Sequence, residues 1–159
     1  MNDNLQSDFL TPILNNSSLM GVVLLIARVF MAAVFLVFGI AKIVHNSNMR
    51  EYMESQGVTS SLLPVAIVIE IAGGVLVALG YQTRIAAMIL AGFCITATLL
   101  FHTRFDVIGE LSNFTQDFAI AGGFLFMIAY DPGPISLDAR IARLKASKKE
   151  KAVDGGLLK

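Results

Sequence analysis

At 159 residues, with 55% hydrophobic and 15% charged side chains and a mean hydropathy of +0.70, the chain is too apolar for a soluble domain of its size. Its basic and acidic residues cancel, but they crowd into the connections and the C-terminal tail, so the charge balance names no partner and no basic stacking surface for nucleic acid forms. The single cysteine, Cys94, excludes an internal disulfide and a Cys-x-x-Cys redox pair.

Residues 1–19 are polar and carry Asp3 and Asp8 but no Lys or Arg, which is the wrong opening for a cleaved signal peptide. They read as a polar N-terminal segment before a retained span. A hydrocarbon core of about 30 Å needs roughly 20 apolar residues in a helix, and four segments come close: 20–43, 62–80, 85–101 and 114–130. The last is the weakest, because Gln116 and Asp117 fall in its expected first turn and must lie at headgroup level. The expected fold is all-α: an integral membrane four-helix bundle over residues 20–138, with short interfacial helices, followed by a basic tail over 139–159.

The connections carry their own signals. Asn48 with Glu51 three residues on is a possible capping box for a short amphipathic helix presenting Met49, Tyr52 and Met53, and Gly57 suits its left-handed end. Only residues 81–84 join the second span to the third, so those helices are antiparallel neighbours. Pro134 ends the fourth helix and Ser136 can cap a last one, with Ile141 and Leu144 on one side and Arg140, Arg143 and Lys145 toward anionic headgroups. With four spans, Arg84 and the tail cations share a side against Lys42, Arg50 and Arg104, and the positive-inside rule then puts both termini in the cytoplasm. Residues 71–76 and 120–125 are similar, either as a trace of a parallel repeat or by chance.

Charges inside lipid are costly, so Arg28 in the first span and Glu70 in the second need a reason. Each lies about 12 Å deep from opposite sides at 1.5 Å per residue, which leaves a height difference of about 6 Å that a guanidinium can bridge. The two are therefore expected to pair. Such a pair either fixes helix register or lines a polar pocket for a quinone, a proton or a small polar ligand, and both readings stay open. Lys42 and Arg84 at span ends suit snorkelling anchors. His45, His102, Asp106 and Glu110 gather on the outer side without the tight spacing of a metal site, and no metal is assigned. Gln116 and Asp117, at the mouth of the fourth helix, can cap it or face the same outer space.

Arg28-Val29 leading into Phe38-Gly39-Ile40-Ala41-Lys42, Glu70 before Gly73-Gly74, Gly80-Tyr81-Gln82-Thr83-Arg84, His102, and Gly122-Gly123 leading to Pro132-Gly133 and Ser136-Leu137-Asp138 give a chain that resembles the DoxX family of small bacterial inner-membrane proteins over residues 20–138. The resemblance implies a four-helix membrane bundle in the inner membrane with Arg28, Lys42, Glu70 and Arg84 at the characteristic polar positions. His102 and Gln116 join them as candidate cofactor-binding residues. The family is named for membrane subunits of a thiosulfate:quinone oxidoreductase; other relatives associate with redox-protective partners, sort cargo or assemble receptors. A basic residue often opens the fourth helix in the family, where this chain has Gln116 and Asp117.

The resemblance thus implies a quinone-interacting membrane component of a redox system, an oxidoreductase only with a partner that supplies electrons. The rival readings are a non-catalytic binding or assembly protein for another membrane or exported protein, and a small-solute carrier, for which four spans leave little wall unless copies associate. The expected partners are the lipid bilayer and either a second protein or another copy of the chain.

Overall fold

The computed structural model describes residues 17–105, 108–130 and 132–156, and no strand occurs among them. In chain order the helices are α1 (Ser17–Val44), α2 (Asn46–Ser55), a 3-10 turn (Ser60–Leu62), α3 (Leu63–Leu79), α4 (Thr83–Phe101), α5 (Ile108–Ala129) and α6 (Leu137–Gly156). Three helical stretches, Ser18–Val44, Ser60–Leu79 and Thr83–Phe101, are long and apolar enough to cross a membrane. Much of their apolar surface points outward: Phe30 is 70% exposed and Val37 and Val68 are each 64% exposed. Contiguous apolar surface on this scale is unsustainable in water and suits lipid. The segment α5 packs along α4, but Glu110, Asn113, Gln116 and Asp117 make its first half polar.

Small residues set the spacing between helices, as lipid-embedded packing requires. A Cβ added at Gly39 would lie 2.7 Å from Ile71 Cδ1, one at Gly74 3.0 Å from Leu36 Cδ2, one at Gly73 2.8 Å from Leu90 Cδ2, and one at Gly123 2.9 Å from Met31 Cε. These contacts seat α3 on both α1 and α4, and α5 on α1. Phe35 and Phe124 meet with ring centroids 5.3 Å apart in the middle of a core that includes Ala32, Val77, Ala87 and Leu90. The pairs α1 with α3 and α4 with α5 are joined most extensively. One end of the assembly, here the tail face, holds the start of α1, the turn at Gly80 and the start of α6, since the added-Cβ position at Gly21 lies 2.8 Å from Pro134 Cγ. The opposite end, the α2 face, holds α2 and residues 102–105, which follow α4.

Several expected boundaries shift. The polar N-terminal segment, residues 1–16 of it, and Asp106 lie outside the described residues. The helix expected from residue 114 begins at Ile108, so Gln116 and Asp117 occupy its third turn and not its first. Hydropathy placed the start too late, because a helix buried on one side can run through polar residues where it nears headgroups. The capping box at Asn48 does not form: α2 starts at Asn46 behind His45, which makes no side-chain cap. Gly57 does adopt the left-handed conformation, with φ +76°, and Ser136 does cap α6, accepting from Ala139 N at 3.1 Å while donating to Gly133 O at 2.7 Å.

Gly80 combines two constraints. Its φ is +66°, and a Cβ there would collide with Arg28 Nη1 and lie 2.6 Å from Ser136 Cβ. Gly92, on α4, has open space around it. Gly80→Ala is therefore expected to cost about 2 kcal/mol or more through backbone strain and displacement of its neighbours, whereas Gly92→Ala is expected to be neutral or stabilising. Thermal unfolding of the two variants in the same detergent checks the order.

Candidate functional site

Arg28 and Glu70, expected to pair, do not. Their separation follows from helix register and side-chain direction. Gly39 faces Glu70 and Ile71, Gly74 faces Ala32 and Leu36, and Gly80 faces Arg28, so the antiparallel register of α1 on α3 puts Glu70 about ten residues, or about 15 Å, from the level of Arg28. Side chains on a helix lean toward its N-terminus. Arg28 therefore leans toward the tail face and Glu70 toward the α2 face, and each finds a different partner.

At the tail face Arg28, only 2% exposed, donates from Nη1 to Pro132 O at 2.9 Å and from Nη2 to Ile135 O at 2.7 Å. Those carbonyls lie in the connection that follows α5, which has no helix of its own to absorb them. Asp138, in the first turn of α6, accepts from Gln82 N at 2.8 Å, Thr83 N at 3.0 Å and Thr83 Oγ1 at 2.9 Å, while its own N–H goes to Gly80 O at 2.9 Å. The start of α4 has free N–H groups and Gln82, at φ 45°, gives it no side-chain cap. Asp138 supplies that cap from a distant part of the chain. Burial alone would raise its carboxyl, but the hydrogen bonds from Thr83 and Gln82 and the charge of Arg28 outweigh it and hold the group below its ordinary range. Arg84 stands exposed beside this junction in the first turn of α4.

The other charge is settled at the α2 face. Lys42 leans back along α1 toward the level of Gly39 and donates from Nζ to Glu70 Oε1 at 2.7 Å, with side-chain exposures of 18% and 5%. Its ammonium also lies 5.6 Å from the ring centre of Phe38. The second carboxylate oxygen, Glu70 Oε2, is buried without a hydrogen-bond partner. This pair forms part of the wall of a cavity of about 500 Å³, a volume suited to a small-molecule ligand.

The cavity lies between the pair α1 with α3 and the pair α4 with α5. Phe35, Ala66, Ile69, Phe93 and Ile120 give it apolar walls, and Lys42, Glu70, His102, Asn113, Gln116 and Asp117 give it polar points. Met49, Tyr52 and Met53 of α2 cover it, and Tyr52 is held in place by stacking on Phe101 at 5.8 Å between centroids. On the rim, Phe38 is 52% and Val65 54% exposed, so the space reaches the outward apolar surface. His102 Nδ1 lies 2.7 Å from Glu110 Oε2 near the α2 face; His45, with which His102 was grouped, is exposed at the start of α2.

Of the residues singled out from the sequence, the fold thus brings Lys42, Glu70, His102 and Gln116 to one cavity and leaves Arg28 and Arg84 at the opposite end. Asp117, read from the sequence as either a cap of the fourth helix or a group facing the outer space, lines the cavity with Gln116. One contribution escaped the sequence. Asp138 had a detectable signal: a helix opening at Gln82-Thr83 without its own capping group needs an acceptor from elsewhere.

Residues 23–103, from α1 through α4 and the segment just after it, match the family model DoxX. The chain belongs to the DoxX family. Its similarity to known proteins extends over a longer stretch: it is 35% identical over 114 residues to Inner membrane protein YqjF of Escherichia coli strain K12, covering 72% of this chain and 88% of that one. It is 32% identical over 126 residues to Inner membrane protein YphA of the same organism, covering 75% and 90% respectively. No solved structure matches it. Together with the outward apolar helices, these similarities make the chain a bacterial inner-membrane DoxX protein. The DoxX motifs quoted above have structural employment at both ends: Gly80 to Arg84 and Ser136 to Asp138 build the tail-face junction, and Gly39, Lys42 and Glu70 build the cavity wall.

Two outcomes follow from these contacts. Because the folded state lowers the Asp138 carboxyl, its contribution to stability is complete above the ordinary carboxylate value of about 3.9 and disappears as pH falls through the lower folded value. Thermal stability should therefore drop on acidification below about pH 4, and Asp138→Asn should remove that part of the drop while lowering stability at neutral pH. In the membrane interior, Lys42→Met strands the Glu70 carboxylate and should cost about 3 kcal/mol, whereas Lys42→Met combined with Glu70→Met should recover most of it. Equal losses in the single and double variants, measured by thermal or denaturant unfolding in detergent, would contradict the pairing.

Proposed function

We propose that this chain is the membrane-embedded, quinone-interacting subunit of a redox system, with the quinone headgroup in the cavity beside Lys42 and Glu70. The observation that carries the reading is the cavity itself: apolar walls, a rim on the outward apolar surface, and a buried ion pair among its few polar groups. A quinone has the matching chemistry, a flat apolar ring with two carbonyl acceptors and an apolar tail. Lys42 donates one N–H of its ammonium to Glu70 in a hydrogen bond, and an ammonium has other N–H groups with which to meet a carbonyl. Gln116 and Asn113 carry amide donors on the same wall.

Full reduction of a quinone takes two electrons and two protons. The chain has one cysteine and no paired thiols, so a partner protein delivers the electrons and this chain supplies the lipid-facing site. Membership of a family named for membrane subunits of a thiosulfate:quinone oxidoreductase supports that division of labour. In this reading α5 is a fourth span whose polar first half lies near the headgroups. The side holding Arg84, Arg140, Arg143 and Lys145 is then cytoplasmic, in accord with the positive-inside rule, and both termini are on it.

The test is quinone content. Protein extracted in a mild detergent should carry about one quinone per chain, and Glu70→Gln and Lys42→Met should each weaken binding of added quinone by about tenfold or more, the loss of one good polar contact. Arg84→Ala should leave binding unchanged. A quinone-free preparation that co-purifies with a single protein partner, with no binding of added quinone, would replace this reading with that of a non-catalytic assembly protein.

A further inference from the structure

We propose that Glu110, His102 and Asp117 form a proton relay that leads from the α2 face to the buried Lys42–Glu70 pair. The proposal rests on the quinone reading only for the use made of the proton; the path itself stands on the placement of these groups.

The first link is a direct contact, His102 Nδ1 to Glu110 Oε2 at 2.7 Å, with side chains 21% and 17% exposed, so that it is partly open at the α2 face. The rest follows the helices. Glu110, Asn113 and Asp117 recur at three-four spacing and share one face of α5, and Asn113 and Asp117 line the cavity together with His102. Asp117 shares the cavity lining with His102, Lys42 and Glu70, near enough for its charge to be felt by both His102 and Lys42. Glu70 closes the series on the same cavity wall, 3% exposed and with Oε2 lacking any partner. An unpartnered buried oxygen is a place where a proton can arrive without first displacing a donor.

The groups that face the path come from every neighbouring element. Around Glu70 they are Lys42 on α1, Cys94 on α4 and Asp117 on α5. Around the mouth they are Tyr52 on α2 and Arg104 just after α4, whose Nη2 donates to Gln56 Oε1 at 3.2 Å. Burial, and after it the charge of Glu110, pushes the Tyr52 phenol up against a smaller opposing pull from Arg104, so Tyr52 stays neutral and does not compete for the proton. In the forward direction Glu110 takes a proton from solvent and passes it to His102 at Nδ1. His102 releases a proton from Nε2 toward Asp117, and the proton crosses the cavity to Glu70 or to a ligand held there. The transfer leaves His102 as the Nδ1–H tautomer, and a flip of its ring restores Nε2–H before the next proton arrives; Glu110 and Asp117 are carboxylates again once each has passed its proton on, and no electron moves.

The experiment uses the full chain in liposomes without added quinone, followed by infrared spectroscopy after a rapid pH step. A carboxyl band absent from Glu70→Gln reports protonation of Glu70. With the relay, that band keeps its final amplitude in Asp117→Asn and His102→Ala but forms about a hundredfold more slowly, the size of effect a positioned acid or base supplies. Imidazole added to His102→Ala restores the rate. Formation of the Glu70 band at the parent rate in both variants would overturn the relay, as would the absence of any band that Glu70→Gln removes. If a variant is too unstable to reconstitute, the conservative Glu110→Gln gives the same reading at the mouth. Slowed kinetics in protein that binds no quinone would support the relay and refute the quinone, so the two readings fail separately.

Discussion

A helix in lipid leans each long side chain toward its own N-terminus, and this direction decides which charges of an antiparallel pair can meet. In α1 and α3 it turns Lys42 and Glu70 toward each other and Arg28 and Glu70 apart. The short contact at 2.7 Å between Lys42 and Glu70 lets a carboxylate persist in the membrane interior, where an isolated charge is costly. Arg28 solves the same problem differently, with backbone carbonyls at 2.9 and 2.7 Å in place of a carboxylate. The rest of the architecture is arranged around these two solutions.

They divide the protein by task. The tail face is a closed junction in which Gly80 admits the guanidinium, Asp138 caps α4, and Ser136 caps α6, so three separate stretches of chain are fastened at one place. The α2 face is open: the two helix pairs leave a cavity between them, and α2 covers it through a small set of side chains. Stability is concentrated at one end and space for a ligand at the other, a division that folded proteins often make where binding surfaces are drawn from less tightly fastened parts.

Much of this was legible in the sequence. Hydropathy alone located α1, α3 and α4 to within a few residues, and the isolated charges Arg28 and Glu70 marked positions that had to be satisfied, whereas Lys42, at a span end, reads as a snorkelling anchor and not as the partner of Glu70 that it is. The expected partnership was wrong because depth was counted from each span's end as if all helices began at the same height, and because leaning of the side chains was left out. The start of α5 was missed for a related reason: a window of hydrophobicity cannot see a helix whose polar first half is stabilised by neighbours such as His102. The covering role of Met49, Tyr52 and Met53 was visible as an amphipathic face, but what the face covers was not, since a cavity between two helix pairs leaves no periodic trace.

The unequal lengths of α1 and α3 carry a mechanical implication. At 1.5 Å per residue the 28 residues of α1 span about 42 Å and the 17 of α3 about 25 Å, on either side of the thickness of a typical hydrocarbon core, about 30 Å. Only the longer helix has length to spare, and it can fit by tilting. Its far end is the end joined through His45 to α2, so bilayer thickness sets the angle at which the roof is held. Membranes of different lipid composition would then tune the opening of the same protein without altering a single one of its residues.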